Sequence, residues 1–200
     1  SPPAVAPEKL FGRGMLFTRY AFELRGYRPV FFEGLVARGR LTLGAIRAWD
    51  AVHQPPISEL YYVGGINSIR GYRYFSISPS RRIGGTKGDP QSALGIFTAG
   101  GDWNAVLNTE LEFPLIEKVG VRGVVFFDAG NAWAYKASKY ERQPYEKDLY
   151  RSVGFGFRWI SPVGPLRFEW GIPLDRRKDP STGVYLDNAL DFQFTIGNFF

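Results

Sequence analysis

Val153-Gly154-Phe155-Gly156-Phe157-Arg158-Trp159-Ile160-Ser161-Pro162-Val163-Gly164-Pro165-Leu166-Arg167-Phe168-Glu169-Trp170-Gly171-Ile172 reads as two strands and a tight turn. Val153, Phe155, Phe157 and Trp159 alternate with Ser152, Gly154, Gly156 and Arg158. Beyond Ser161–Pro165 the alternation resumes, with Leu166, Phe168, Trp170 and Ile172 set against Arg167, Glu169 and Gly171. A period of two places successive side chains on opposite faces of a strand. One face here is large and apolar, while the other carries glycine and formal charge.

The same pattern extends in both directions. Leu16, Thr18, Tyr20, Phe22 and Leu24 enclose Arg19 and Glu23, with Arg25 following. Leu35, Ala37, Gly39, Leu41, Leu43 and Ala45 oppose Arg38, Arg40 and Thr42. Ala105, Val106, Leu107, Thr109, Leu111 and Phe113 interleave with Asn104, Asn108, Glu110 and Glu112. Val119 to Asp128 is more apolar throughout, although Arg122 and Asp128 share a parity. Leu190, Phe192, Phe194 and Ile196 alternate with Asp191, Gln193, Thr195 and Gly197. Seven strands are predicted.

Their connections alternate in length. Short turns fall at 28–32, 114–118 and 161–165; long polar connections fall at about 50–101, 130–149 and 173–189. Short turns at one end and long loops at the other are the layout of an outer-membrane β-barrel, whose strands of ~10–13 residues cross an apolar layer of about 25 Å. A soluble sheet also alternates. Large aromatics near strand ends on one parity and charges on the other favour a membrane wall with a wet or plugged lumen. Seven strands cannot close such a barrel, and an open edge in lipid leaves backbone groups unpaired. Residues 1–200 are therefore expected to be the C-terminal portion of a larger barrel, with Phe192, Phe194, Ile196 and Phe200 in its last strand.

Composition agrees. The chain has 5 Trp, 11 Tyr and 17 Phe, with 24 Gly and no Cys, which excludes disulfides, thiolate metal sites and a cysteine nucleophile. Its net charge of +6 comes from dispersed Arg and Lys rather than a basic run, so nucleic acid is not expected as a partner. No apolar run is long enough for a transmembrane helix. The start, Ser1-Pro2-Pro3-Ala4-Val5-Ala6-Pro7, lacks the features of a signal peptide.

The loop at about 50–101 contains Tyr61-Tyr62-Val63-Gly64-Gly65-Ile66-Asn67-Ser68-Ile69-Arg70-Gly71-Tyr72. Gly64 and Gly65 permit a tight turn, and Arg70 can clamp a loop tip against lumen carboxylates through a two-pronged ion pair. An isolated Arg-Gly-Tyr would instead be a surface hairpin. Other readings are weaker. His53, the one histidine, lies in a Pro-flanked loop near Ser58, without the setting of a Ser–His hydrolase. Asp50, Asp89, Asp102 and Asp148 lack calcium-loop spacing, and Gly84-Gly85-Thr86-Lys87-Gly88 lacks Walker spacing. Neither an enzyme activity nor a metal or cofactor is expected.

Five ordered blocks between about Phe17 and Phe200 resemble the outer-membrane protein assembly family that includes BamA, TamA and the two-partner-secretion transporters. They are Gly64-Gly65 with Ile69-Arg70-Gly71-Tyr72; Glu110-Leu111-Glu112-Phe113-Pro114; Phe126-Phe127-Asp128-Ala129-Gly130-Asn131-Ala132-Trp133; Ser161-Pro162-Val163-Gly164-Pro165-Leu166; and Phe192 to Phe200. The turn and the last strand are most similar to the BamA branch. The resemblance implies a barrel of about sixteen strands in a Gram-negative outer membrane, with periplasmic POTRA domains that are absent from this chain. It implies a role in inserting other β-barrel proteins, and pairs Arg70 with Asp128 and Glu112 in the lumen. A tight turn at 114–118 sets Asp128 ~8 residues beyond the partner of Glu112, about 26 Å away, so Asp128 is the preferred partner. Implied partners are unfolded outer-membrane proteins, accessory lipoproteins, outer-membrane lipids and the remaining N-terminal strands. The strand at Leu190–Phe200, loosened by Gly197, is expected to form one side of a seam that opens sideways. A TamA-like or two-partner-secretion pore and a passive diffusion porin are the alternatives.

Overall fold

A computed structural model describes residues 16–49, 55–83, 95–134, 146–162, 164–179 and 182–197. Seven strands form one antiparallel sheet: β1 (Phe17–Pro29), β2 (Val36–Ala48), β5 (Trp103–Ile116), β6 (Val121–Trp133), β7 (Tyr150–Ser161), β8 (Gly164–Pro173) and β9 (Asp191–Ile196). They stand in chain order, each beside the next. The seven strands anticipated from alternation are these seven. The excursion between β2 and β5 adds a two-stranded sheet, β3 (Ser80–Ile83) with β4 (Gly95–Thr98), which falls inside the stretch expected to be loop. His53, Asp50, Asp89, Gly84 to Gly88 and Phe200 lie outside the described residues.

Strand parity sorts the side chains. Odd residues of β5 are half-buried or exposed, whereas Asn104, Val106, Asn108, Glu110 and Glu112 are buried. On the outer face aromatic rings run from strand to strand. Phe155 stacks on Trp170 at 5.7 Å and Trp170 lies 5.1 Å from Phe192; Phe157, Phe168 and Phe194 form a parallel row at 4.6 and 4.9 Å. Trp103 stacks on Trp133 at 4.3 Å, toward the long loops. The aromatics thus form rows across mid-strand as well as sitting near strand ends. In lipid, such rows supply broad apolar area and cross-strand ring contacts of about 0.5–1.5 kcal/mol each.

The inner face is not uniformly polar. Residues 55–79 fold back against it, and their apolar side packs on the wall. Leu60, Tyr61, Val63, Ile69, Tyr72 and Ile77 form one core with inward-facing Ile46, Val106, Ala132 and Tyr150. Isolated bridges pair Tyr61 with Gly101 and Val63 with Ile77, closing the excursion on itself. Here the inner surface of the sheet is the hydrophobic interior, and the loop is its cover. β6 alternates weakly because apolar residues take both its faces: inward-facing Val124 and Phe126 are buried, while outward Val125 and Phe127 are exposed.

Ile77, fully buried in that core, tests how the cover is held. Ile77→Ala in the full-length parent is expected to weaken loop docking by about 2–5 kcal/mol. Limited proteolysis should then cut within 55–79 while the strands resist; an uncut loop would contradict this packing.

Candidate functional site

The turn carrying the Arg-Gly-Tyr motif is built from its own backbone. Gly64 and Gly65 have φ of 112° and 98°, a region open to glycine. The Gly64 amide donates to Ser68 Oγ at 2.8 Å, and the Gly65 amide donates to the Ile69 carbonyl at 3.1 Å. Ile69 is driven into the core, so its neighbour Arg70 projects along the wall. Gly71, at φ +86°, rests directly on β8: a Cβ there would stand 2.9 Å from the Gly171 carbonyl carbon. Gly171 is equally constrained, since its own Cβ would strike the Gly71 backbone.

Arg70 is 2% exposed and ends among three carboxylates from three strands. Its Nε and Nη2 donate to Asp128 Oδ2 and Oδ1, both at 2.7 Å, and its backbone amide donates to Oδ2 at 3.1 Å. Nη1 reaches Glu110 on β5 at 2.5 Å and Glu169 on β8 at 3.3 Å. The guanidinium lies 3.6 Å from the centre of the Phe126 ring. Asn108 completes the clamp, donating to Asp128 Oδ1 at 2.8 Å and to the Ser68 carbonyl at 2.5 Å. Burial works against the Arg70 charge, but the carboxylates, Asp128 foremost, outweigh it and hold the group firmly protonated.

The expected contact of Arg70 with Glu112 is absent; Glu110 and Glu169 stand in its place. Glu112 instead accepts from Arg158 at 3.1 Å, from Arg38 at 3.0 Å and from Arg122. Position along the strands accounts for part of this. The turn after β5 is wider than expected and carries an irregularity between Pro114 and Ile116, so Glu112 pairs with Val124 and Asn108 pairs with Asp128. Asp128 is therefore four residues from Glu112's partner, about 13 Å along the strand rather than about 26 Å, but only two residues from Phe126, the partner of Glu110. Charge balance supplies the rest. Three buried arginines (Arg70, Arg158, Arg167) face four buried acids (Glu110, Glu112, Asp128, Glu169), and the partly exposed Arg38 and Arg122 supply cations at Glu112.

The alternation placed Glu110, Arg158, Arg167 and Glu169 on the inner face but did not join them to Arg70. Arg158 bridges Glu110 at 2.8 Å and Glu169 at 3.0 Å, and Arg167 pairs with Glu169 at 2.9 Å. Parity was the available signal; the missing information was how far each side chain lies along its strand.

Tyr72 fastens the other side of the turn. Its hydroxyl donates to the Arg151 carbonyl of β7 at 3.0 Å and accepts from the Asp175 amide at 3.2 Å. Arg151 in turn grips Asp175 at 2.9 and 3.0 Å; that hydrogen bond holds the Asp175 carboxyl below its ordinary range against the effect of burial. The segment after β8 is pinned by Arg177, which pairs with Asp187 at 2.5 Å and donates to the Ser76 carbonyl. Leu190 precedes β9; Phe192 and Phe194 face outward from it, and Gly197 ends it at φ +131°.

An apolar outer face, a charged inner face and a loop clamped to the inner one define an outer-membrane β-barrel wall with an internal plug. The chain belongs to the Omp85 superfamily: the family model described as the Omp85 superfamily domain matches residues 8–200. It is 35% identical over 165 residues to the outer membrane protein assembly factor BamA of Nitratidesulfovibrio vulgaris, covering 82% of this chain and 18% of that protein. It is 26% identical over 180 residues to its Neisseria meningitidis counterpart, covering 79% and 21%. The crystal structure of Haemophilus ducreyi BamA lacking POTRA domains 1–3 superposes with a TM-score of 0.68 at 22% identity, over 88% of this chain and 34% of that one. The chain thus spans about a fifth of the length of the curated relatives it matches. Membership places it in the outer membrane of a Gram-negative cell, in a family that is not enzymatic.

Arg70→Ala leaves Asp128, Glu110 and Glu169 facing one another, a loss of about 3–5 kcal/mol for a buried pair broken on one side. Protease should then cut the loop of the full-length parent. Gly171→Ala should do the same by lifting Gly71 off β8, whereas Glu112→Gln should leave the loop protected. A loop freed equally by Glu112→Gln would contradict the partner assignment.

Proposed function

We propose that this chain is the C-terminal part of an outer-membrane protein assembly factor, which folds β-barrel proteins and inserts them through a lateral seam at β9. The observation that carries the proposal is the match to two proteins named as such factors, over about four-fifths of the chain. The mechanism is physical rather than chemical. Among the described residues β9 has six where β5 and β6 have 14 and 13, so its ladder there is short. A strand edge of that kind can exchange partners and offer its backbone groups to an incoming strand. Gly197, at φ +131°, loosens the end of the strand.

The remaining N-terminal strands of the same protein complete a barrel of about sixteen, with POTRA domains preceding them. Clients are unfolded outer-membrane β-barrel proteins; accessory lipoproteins of the assembly complex and outer-membrane lipids are the other partners. Arg70, flanked by Gly64, Gly65, Ile69, Gly71 and Tyr72, anchors the internal loop against Asp128. A passive diffusion porin is disfavoured because loop and wall share an apolar core where a water-filled path would run.

Depletion of the full-length parent in its host, followed by rescue, tests the proposal. Folded, heat-modifiable porins should fall severalfold on depletion, recover with the wild type, and fail to recover with Arg70→Ala. Unchanged porin levels would overturn general assembly and favour a dedicated TamA-like or two-partner-secretion pore.

A further inference from the structure

The motif loop touches five strands in three residues, holding three of them by ion pairs and two, β7 and β9, by neutral hydrogen bonds. Arg70 engages β5, β6 and β8 through buried ion pairs, and the Tyr72 hydroxyl engages β7. β9 is reached through a neutral side chain. Gln193 Nε2 donates to the Tyr72 carbonyl at 3.0 Å. The same nitrogen donates to Asp191 Oδ2 at 2.8 Å, so both neighbours are acceptors and the orientation of the amide is fixed by them. Gln193 Oε1 is buried without a hydrogen-bond partner, and the residue is 7% exposed. A buried, half-satisfied amide costs stability that an apolar residue of similar shape would not. Its two donated bonds are the compensation.

We infer that Gln193 is a positioning residue that latches the seam strand to the Arg-Gly-Tyr loop, and that this single donated bond sets how often β9 parts from the plug. The inference rests on the assembly reading for its purpose, but its geometry is independent of that reading. The buried arginine pairs keep the loop on β5, β6 and β8 when β9 moves, because charged, buried bonds outlast a neutral one. Gln193 also pairs across the strands with Glu169, an Arg70 partner, so the latch sits over the clamp. The loop therefore works as a fixed post against which the terminal strand closes.

The test uses the full-length parent in phosphatidylethanolamine–phosphatidylglycerol liposomes. Nitroxide pairs are placed on exposed positions, Arg73→Cys with Ile196→Cys for loop to β9, and Arg73→Cys with Phe127→Cys for loop to β6. This chain supplies no competing thiol. Gln193→Met keeps the length and removes the donor; Gln193→Glu keeps length and polarity but cannot donate when ionised; Gln193→Lys restores a donor. Met and Glu should raise the long-distance fraction of the β9 pair about three- to tenfold, the worth of one neutral hydrogen bond. The β6 pair should not move, and Lys should return the β9 pair toward wild type. Distances unchanged by Met and Glu, both pairs moving together, or Lys as broad as Met would each overturn the latch. The same liposomes are scored for insertion of a β-barrel client. If the wild type inserts none, the assembly reading fails while the distances still decide the latch; if it inserts and the distances stay fixed, the latch alone fails.

Discussion

The fork of Arg70 on Asp128 is the interaction on which the rest of this wall depends. A guanidinium offers two parallel donors to one carboxylate, which fixes direction as well as distance. Its backbone amide binds the same carboxylate, so chain and side chain are held together. With that orientation set, Gly71 must lie on Gly171 and Tyr72 must point toward β7 and the segment after β8. The apolar half of the loop then falls onto Ile46, Val106, Ala132 and Tyr150. Polar clamp and apolar cover are two faces of one docking event.

A buried ion cluster is weak support for stability, because desolvation consumes much of the attraction. Its strength here is selectivity. Glu110 is shared between Arg70 and Arg158, Glu169 among Arg70, Arg158 and Arg167, and Glu112 is left to Arg38, Arg122 and Arg158. Exchanging Glu112 for Glu110 as the Arg70 partner would strand cations at one level of the wall and carboxylates at another. The arrangement tolerates one position of the loop.

Much of this was legible in the sequence where the two faces of a strand differ. β7 and β8 announce themselves because Phe155, Phe157, Phe168 and Trp170 face lipid while Arg158, Arg167 and Glu169 face inward. β6 speaks less clearly, because Val124 and Phe126 face inward while Val125 and Phe127 face lipid. Apolar side chains take both faces, and alternation has nothing to contrast. The β3–β4 pair escaped notice because it lies within the long excursion, away from the wall whose alternation carries the signal. The identity of the acids around Arg70 was beyond reach for another reason. Parity says which face a side chain takes, but not how far along the wall it lies: Glu110 pairs with Phe126, two residues from Asp128, and Glu112 with Val124, four residues away.

Chain order gives the clamp a temporal meaning. Arg70 precedes its partners by 40 residues at Glu110, 58 at Asp128 and 99 at Glu169. Loop closure over such separations is entropically costly, and contacts this remote in sequence form slowly. Until β8 has taken its register, Arg70 has Glu110 and Asp128 beside it but lacks Glu169, its third carboxylate. A strand slipped by one residue would turn Glu169 to the lipid face and leave Arg70 one partner short. The motif loop therefore proofreads the wall that encloses it: it seats fully only when strands made long after it have arrived in the correct alignment.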